Sequence, residues 1–324
     1  MSPVAPIATG PKNATKLSKG RVKILLLGKD GQVGRELCRA LLPLGEVVAL
    51  GRSDADLRDR DALLAALATC PADVIVNAAA WTAVDKAESD PDTALQVNAS
   101  AVSVLARHAR AAGALLVHYS TDYVFDGALA RPYTEADTPH PLNVYGSTKL
   151  AGEQAIHASG CDALVFRTSW VYSAHGSNFL KTMLRLARER ETLDVVADQH
   201  GAPTSAELVA DLSVQAIQRR RAGLLPVGTY HLAASGSTSW HGFAKYIIAG
   251  AAARGAALKL VPEKIRAIAA RDYPAAAQRP RNSILDTALL SNALQREMPP
   301  WTEPVDRVLD QLVKPGDPPW RAKA

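Results

Sequence analysis

The sequence predicts an α/β chain built on a doubly wound parallel sheet, and three observations carry that expectation. Short apolar, partly β-branched runs alternate with segments of helical periodicity from Arg21 onward. A glycine turn, Gly28-Lys-Asp-Gly31-Gln-Val-Gly34, stands between the first such run and the first helical segment. Farther along, Thr121 follows a run that reads as a buried strand, and Tyr145 and Lys149 stand one helical turn apart after it.

Each element follows from its residues. Val22-Lys-Ile-Leu-Leu-Leu27 is a buried parallel strand by its nearly unbroken apolar run. Val33, Leu37, Ala40 and Leu41 share one face of the helix after it. A strand, a glycine turn and a helix in that order make a place for a dinucleotide. Gly28 permits the tight turn, Gly31 lets the backbone approach a pyrophosphate, Gly34 lets the helix sit close on the sheet, and the helix N-terminus meets the anion. An ordinary glycine-rich turn remains the competing reading of the motif by itself. Glu46-Val-Val-Ala-Leu50 is the second strand. It runs into Gly51-Arg52-Ser53, where NAD-preferring sites usually carry an acid for the ribose hydroxyls, and no acid stands there. Arg52 either meets a 2′-phosphate bidentately or is a solvated loop residue. Asp56-Leu57 follows at a spacing that suits the adenine. The third strand, Asp73-Val-Ile-Val-Asn77, leads into Ala78-Ala-Ala80-Trp-Thr82, whose small residues allow the backbone to lie against a cofactor.

Leu115-Leu-Val-His-Tyr-Ser120 is a strand with Thr121 at its carboxyl end, the edge at which open parallel sheets bind ligands. Tyr145 and Lys149 share a face of a helix over Tyr145 to His157, which few breakers interrupt after Gly146. An ammonium beside a phenol lowers the phenol's pKa, as a general acid requires, and the Thr121 hydroxyl suits a carbonyl oxygen that gains charge. A Tyr and a Lys so spaced are usually surface decoration. Placed after this glycine turn and this Thr, they outline a reductase. Ala163-Leu-Val-Phe-Arg167 is a further strand, with Trp170 beyond its carboxyl end either lining a cleft or filling a core. A helix from about Asn178 to Glu189 follows. Beyond Leu225 the alternation loosens into Gly228-Thr-Tyr-His-Leu232, a helix near Trp240 to Arg254, and Pro-rich turns around Pro274 and Pro280, a shift that marks a second lobe. The loop from Asp126 to Asn143 is long enough to border a substrate entrance.

Composition sets limits. A chain of 324 residues with 48% hydrophobic content buries a large core. Residues 1–20 lack a sustained apolar run and read as a flexible tail, not a secretion signal. No segment approaches the apolar length of a membrane span. Three cysteines without paired spacing fit a reducing cytosol, so a cytoplasmic location is expected. The formal charge of +5 is spread along the chain; its densest run, Arg219-Arg-Arg221, suits a helix end whose dipole cations complement. No aromatic residues interleave with the basic ones, which argues against a nucleic-acid partner, while a mildly basic surface favours an anionic ligand.

With these residues in view, the chain resembles the extended short-chain dehydrogenase/reductase superfamily and, within it, the dTDP-4-dehydrorhamnose reductase family. The resemblance rests on the glycine turn, Val76-Asn-Ala-Ala-Ala80, Thr82-Ala-Val-Asp-Lys-Ala-Glu88, Tyr119-Ser-Thr-Asp-Tyr-Val-Phe125, Pro141-Leu-Asn-Val-Tyr-Gly146, Phe166-Arg-Thr-Ser-Trp-Val-Tyr172, Asp198-Gln-His-Gly-Ala-Pro-Thr204 and Arg279-Pro-Arg-Asn-Ser283. It implies a Rossmann-type domain over residues 21–170 plus about 193–224, and a smaller, discontinuous substrate lobe over about 171–192 and 225–324. By the same resemblance Thr121, Tyr145 and Lys149 are the catalytic trio, and Asp122, Tyr123 and Trp170 join Thr121 in the nucleotide-sugar site. Gly28, Gly31, Gln32, Val33, Gly34, Arg52, Asp56, Leu57, Ala80, Thr82 and Tyr119, with Tyr145 and Lys149, border NADPH or NADH. Asn98 looks like the asparagine that supports the active-site lysine through the backbone. Glu36 and Glu207 match the positions that bind Mg²⁺ in metal-dependent dimeric relatives, although two carboxylates alone under-coordinate that ion; a homodimer is compatible with the resemblance. The expected activity is reduction of the C4 ketone of a dTDP-activated 4-keto-6-deoxy sugar. Tyr123 stands where a sugar dehydratase carries Glu, and no Cys and His pair suited to an epimerase is evident. Reduction of a different nucleotide 4-keto-6-deoxy sugar, or a non-catalytic regulatory subunit on the same scaffold, are the alternatives; the intact trio argues against the latter.

Overall fold

Nearly unbroken apolar runs, whose successive side chains point to opposite faces, give the main sheet two dry faces. In this computed structural model the described residues are 21–313. The expected tail, 1–20, and the end of the expected second lobe, 314–324, lie outside them. Strands β1 (Val22–Leu27), β2 (Gly45–Leu50), β3 (Val74–Asn77), β4 (Leu115–Thr121) and β5 (Ala163–Thr168) run parallel, and Gly228–His231 adds a sixth parallel strand at the edge beside β5. From that edge the order is Gly228–His231, β5, β4, β3, β1, β2. The order reverses between β1 and β3, so the crevice at their carboxyl ends is the place where a sheet of this kind takes its ligand.

Ile24, Leu26, Val76, Val117 and Phe166 face one layer, formed by helices α1 (Gln32–Ala40) and, later in the chain, Ala206–Arg221. Leu25, Leu27, Ile75, Leu116 and Val165 face the other, where α2 (Arg60–Thr69) packs with a long helical run. After α3 (Val84–Ser89), that run comprises α4 (Pro91–Leu95), a π-helical turn over Gln96–Ser100, and α5 (Ala101–Ala112). Helix α6 (Val144–Ser159) completes this layer. Short polar side chains start several of the helices: Asp59 accepts from the Asp61 and Ala62 N–H groups, and Asn143 from that of Gly146.

A second core gathers Tyr172, helix α7 (Phe179–Glu189), the strand Leu193–Val196 paired in parallel with Ile265–Ile268 and, following α8 (Ala206–Arg221) in sequence, helix α9 (Trp240–Ala253). After α10 (Ala288–Leu294), helix α11 (Thr302–Leu312) closes that core with Val305, Val308 and Leu309. The observed division departs from the expected boundaries in two places. Leu193–Val196 belongs to the second core, and Gly228–His231 belongs to the main sheet, with Leu290, Leu294 and Met298 packed beneath it. The reason is backbone pairing: Gly228–His231 aligns with Leu164–Arg167 and satisfies the outer edge of β5, which its four unremarkable side chains do not advertise.

Candidate active site

The carboxyl ends of β1, β3, β4 and β5 meet the second core at an open cleft of about 890 Å³. Gly28 leaves β1 with φ +84°, and a Cβ there would stand 2.6 Å from the Ala79 backbone nitrogen. A Cβ on Gly34 would stand 1.9 Å from the Gly28 carbonyl oxygen, so a bare backbone lets α1 close on the turn, with Gly34 beneath the cradle instead of on its wall. Helix α1 opens with Gly31, no side-chain cap and no acid in its first turn. Its free N–H groups and positive end therefore suit a pyrophosphate, and a concavity that no side chain can fill fits a dinucleotide. Gly31, Gln32 and Val33 line the cleft. The Gln32 side-chain oxygen also accepts from Asn178 Nδ2 at 2.8 Å and Ser173 Oγ at 3.3 Å, which ties the turn to the second core.

Arg52, Asp56 and Leu57 border the far end of the cleft, with Ala80 and Thr82 on the β3 side. Arg52 is exposed. Beside it Arg58, which the sequence did not single out, grips Asp56: its Nε lies 3.1 and 3.0 Å from the two carboxylate oxygens and its Nη2 2.5 Å from one of them. That contact holds the Asp56 carboxyl below its usual range, and Arg52 adds to the effect.

At the other end, Thr121, Asp122, Tyr145 and Lys149 all line the wall. The Thr121 hydroxyl donates to Asp122 at 2.9 Å and accepts from the Tyr123 N–H at 3.1 Å. Burial pushes the Asp122 carboxyl up to about 6, while hydrogen bonds from Ser283, Thr121 and Ser169 pull the other way. Burial likewise pushes the Tyr145 phenol up to about 12, against a hydrogen bond with Thr121 that lowers it. Proximity of Lys149 was expected to acidify Tyr145, and the structure differs. The Lys149 Nζ turns to the Tyr119 carbonyl oxygen at 2.5 Å and to His118 Nε2 at 3.3 Å, and burial pushes its own pKa down to about 8. Only the backbone of Tyr119 takes part, because its phenol donates to Ser213 in the core. Asn98 was expected to support Lys149 through the backbone. Its side chain accepts from the Trp81 N–H at 2.9 Å and donates to the Trp81 carbonyl and Thr148 Oγ1, each at 3.1 Å.

Behind Lys149 a buried ion pair bolts α6 to β5. Arg167 Nη2 lies 2.6 Å from Glu153 Oε2 and its Nε 3.0 Å from Oε1; Ser120 donates to the same carboxylate, and the guanidinium lies over the Phe125 ring at 5.1 Å.

Trp170 stands half-buried on the cleft wall and its indole stacks on that of Trp240, with centroids 3.5 Å apart and planes within 6°. Its φ of +46° is a strained value for an aromatic residue. A Cβ on Gly201 would stand 2.5 Å from the Trp170 ring, which gives the Asp198–Thr204 motif a physical purpose. Trp240 was missed in the sequence because seventy residues separate it from Trp170 and nothing local marks it. Tyr123 does not reach the cleft wall. It packs edge-on against Tyr145, with centroids 5.9 Å apart, and hydrogen-bonds Arg279, which in turn grips Asp85 at 3.1 and 2.7 Å. Two motifs far apart in sequence, 82–88 and 279–283, are thereby joined.

The metal expectation does not fit. Glu36 faces Arg39 at 3.7 Å and Glu207 faces Arg307 at 3.6 Å, so guanidinium groups answer both carboxylates. Among the described residues no three His, Cys, Asp or Glu side chains gather at metal-binding spacing. Nor is any helix among them long and apolar enough to cross a membrane.

Comparison with known proteins agrees with this geometry. The family described as RmlD substrate binding domain matches residues 22–314. The dTDP-4-dehydrorhamnose reductase of Burkholderia thailandensis is 49% identical over 284 residues, covering 86% of this chain and 95% of that protein. The reductase of the same name from Shigella flexneri is 46% identical over 295 residues, covering 90% and 98%. Among solved structures, a Bacillus anthracis dTDP-4-dehydrorhamnose reductase in complex with NADP superposes with a TM-score of 0.81 at 32% identity, covering 90% of this chain and 99% of that one.

Proposed function

This chain belongs to the dTDP-4-dehydrorhamnose reductase family, and from that premise we propose that it reduces the C4 ketone of dTDP-4-dehydro-β-L-rhamnose to give dTDP-L-rhamnose, using NADPH or NADH. The observation that carries the proposal is the convergence of the glycine cradle, Thr121, Tyr145 and Lys149 on one cleft. The reduced nicotinamide supplies the hydride for C4. Gly28, Gly31, Gln32 and Val33 receive the pyrophosphate, and Arg52, Asp56 and Leu57 the adenosine end. Ala80, Thr82 and the Tyr119 backbone flank the middle, and Lys149 binds the nicotinamide ribose. Arg52, exposed at that end, favours a 2′-phosphate and hence NADPH.

Tyr145 gives its proton to the oxygen that leaves the carbonyl state. A phenol held near 12 is protonated at neutral pH, so the acid form needed for reduction is the standing one. Thr121 orients the carbonyl by turning its hydroxyl proton from Asp122 toward the substrate oxygen. Asp122 and Trp170 border the sugar nucleotide, Tyr123 holds the Tyr145 ring from behind, and the second lobe covers the substrate. Cys38, Cys70 and Cys161 are free thiols, which supports a reducing, cytoplasmic setting.

The test is turnover. Purified chain mixed with freshly generated dTDP-4-dehydro-L-rhamnose is expected to consume NADPH and release dTDP-L-rhamnose. Tyr145→Phe is expected to lower kcat by about 10²-fold or more while retaining NADPH binding. No oxidation of either cofactor with this substrate refutes the proposal, and near wild-type turnover of the variant refutes the role of Tyr145.

A further inference from the structure

Lys149 and His118 are both buried, each about 1% exposed, and face each other at the foot of the cleft. Donor and acceptor counting fixes the state of this pair. The Asn77 side-chain oxygen accepts from the Ala79 N–H at 3.2 Å, so its amide nitrogen is the group that faces His118 Nδ1, at 3.1 Å. An amide nitrogen only donates, hence Nδ1 is the bare nitrogen and the ring proton sits on Nε2. Burial, with Lys149 beside it, holds the imidazole well below its usual pKa, so the ring stays neutral and carries that single proton. Nε2–H therefore points at Lys149 Nζ, 3.3 Å away. An ammonium has no lone pair to accept it, whereas a neutral amine accepts from His118 and still donates to the Tyr119 carbonyl.

We infer that His118 is a positioning residue that presents Nε2–H to Lys149 and favours its neutral amine, so that Lys149 takes up a solvent proton and swings off His118 when a cofactor ribose enters the cleft. The last step rests on the cofactor reading above. Burial favours the neutral amine, and Glu153 opposes it. On α6, Glu153 is the charged group that acts on Lys149, and Arg167 from β5 clamps it; Tyr145, one turn earlier, stays a neutral phenol. From β3 comes only Asn77, and from β4 the Tyr119 carbonyl, its phenol turned to Ser213.

Magnetic resonance on the full chain tests this directly. With ¹⁵N-labelled histidine, the His118 signals, assigned by through-bond correlation to the backbone of the wild-type chain, are expected to show the Nε2–H tautomer. With lysine labelled at ¹³Cε, Lys149 is expected to titrate at about 8 or below, and the midpoint to rise by about one pH unit or more in His118→Gln, whose amide oxygen accepts from an ammonium. Calorimetry of NADPH binding at about pH 8 in two buffers of different ionisation enthalpy is expected to show uptake of roughly half a proton or more. An Nδ1–H tautomer, a Lys149 signal that stays ammonium through about pH 9, or a midpoint unmoved in the variant overturns the inference. The first two readings need only the wild-type chain, so a variant that does not fold leaves it refutable. NADPH binding without proton uptake overturns the cofactor step. Failure of NADPH and NADH alike to bind refutes the proposed function instead, and the resonance measurements still decide the role of His118.

Discussion

Replacing Glu153 by Leu removes one half of the ion pair between α6 and β5 and leaves the other half with nowhere to go. The two side chains are 2% and 6% exposed, and Arg167 makes three contacts within 3.2 Å of the carboxylate while Ser120 supplies a further donor. Arg167 Nη1 already lacks a hydrogen-bond partner, and what remains to the guanidinium is the Phe125 ring and the longer-range charge of Glu135. Breaking a buried pair from one side costs about 3–5 kcal/mol, mostly the penalty of the charge left behind. For a chain of this size that is roughly a third of its whole stability and corresponds to a fall in Tm of about 5–8 °C. Urea unfolding followed by circular dichroism measures it. The double variant Glu153→Leu/Arg167→Met strands no charge and is expected to recover more than half of the loss. A single variant that loses less than about 1 kcal/mol, or a double variant no better than the single, refutes the reasoning.

The remaining expectations concern the cleft. Arg52→Ala is expected to weaken NADPH about tenfold or more and NADH much less, by titration of each cofactor; equal effects return Arg52 to a solvated loop residue. Gly201→Ala drives a methyl group into the Trp170 ring, so the stack on Trp240 must shift. A change in tryptophan fluorescence and a raised KM for the keto-sugar are expected, with NADPH affinity retained, and unchanged spectra and KM would show that the indole has room to yield. Asp122 has a folded pKa of about 6, above its unfolded value of 3.8, so the folded state binds the proton more tightly. The stability this contributes is present below about 3.8 and is lost as pH rises through about 6, a change of order 3 kcal/mol. Melting curves of wild type and Asp122→Asn across that window check the sign: the difference in Tm should move in favour of the variant as pH increases.

Much of the frame was legible because apolar runs and glycine turns are local signals. Val22–Leu27, the turn after it, and Thr121 at a strand end needed no partner to be read. What sequence missed was set by contacts between distant segments. Gly228–His231 is a strand because β5 has an open edge, and Trp240 reaches the cleft because Gly201 leaves space for the ring on which it stacks. The expected pairing of Lys149 with Tyr145 followed helical spacing alone, and the carbonyl and imidazole offered by β4 claimed the side-chain nitrogen instead. Tyr123 shares a motif with Thr121 and Asp122, yet its ring turns to Arg279, 156 positions away, which no reading of neighbours along the chain reveals.

The π turn over Gln96–Ser100 sits inside an otherwise α-helical run from Pro91 to Ala112. Such a turn holds one residue more than an α turn, and each residue advances a helix by about 100°. Asn98 lies in that widened turn and clasps both backbone groups of Trp81 and the hydroxyl of Thr148. Loss of a single codon there would restore an ideal helix and at the same stroke rotate everything before it by more than a quarter of a revolution, unhooking Asn98 or tearing α4 from its seat. The length of this segment is therefore as much a part of the site's specification as any side chain in it, and a gap in its reading frame would do the damage of several substitutions at once.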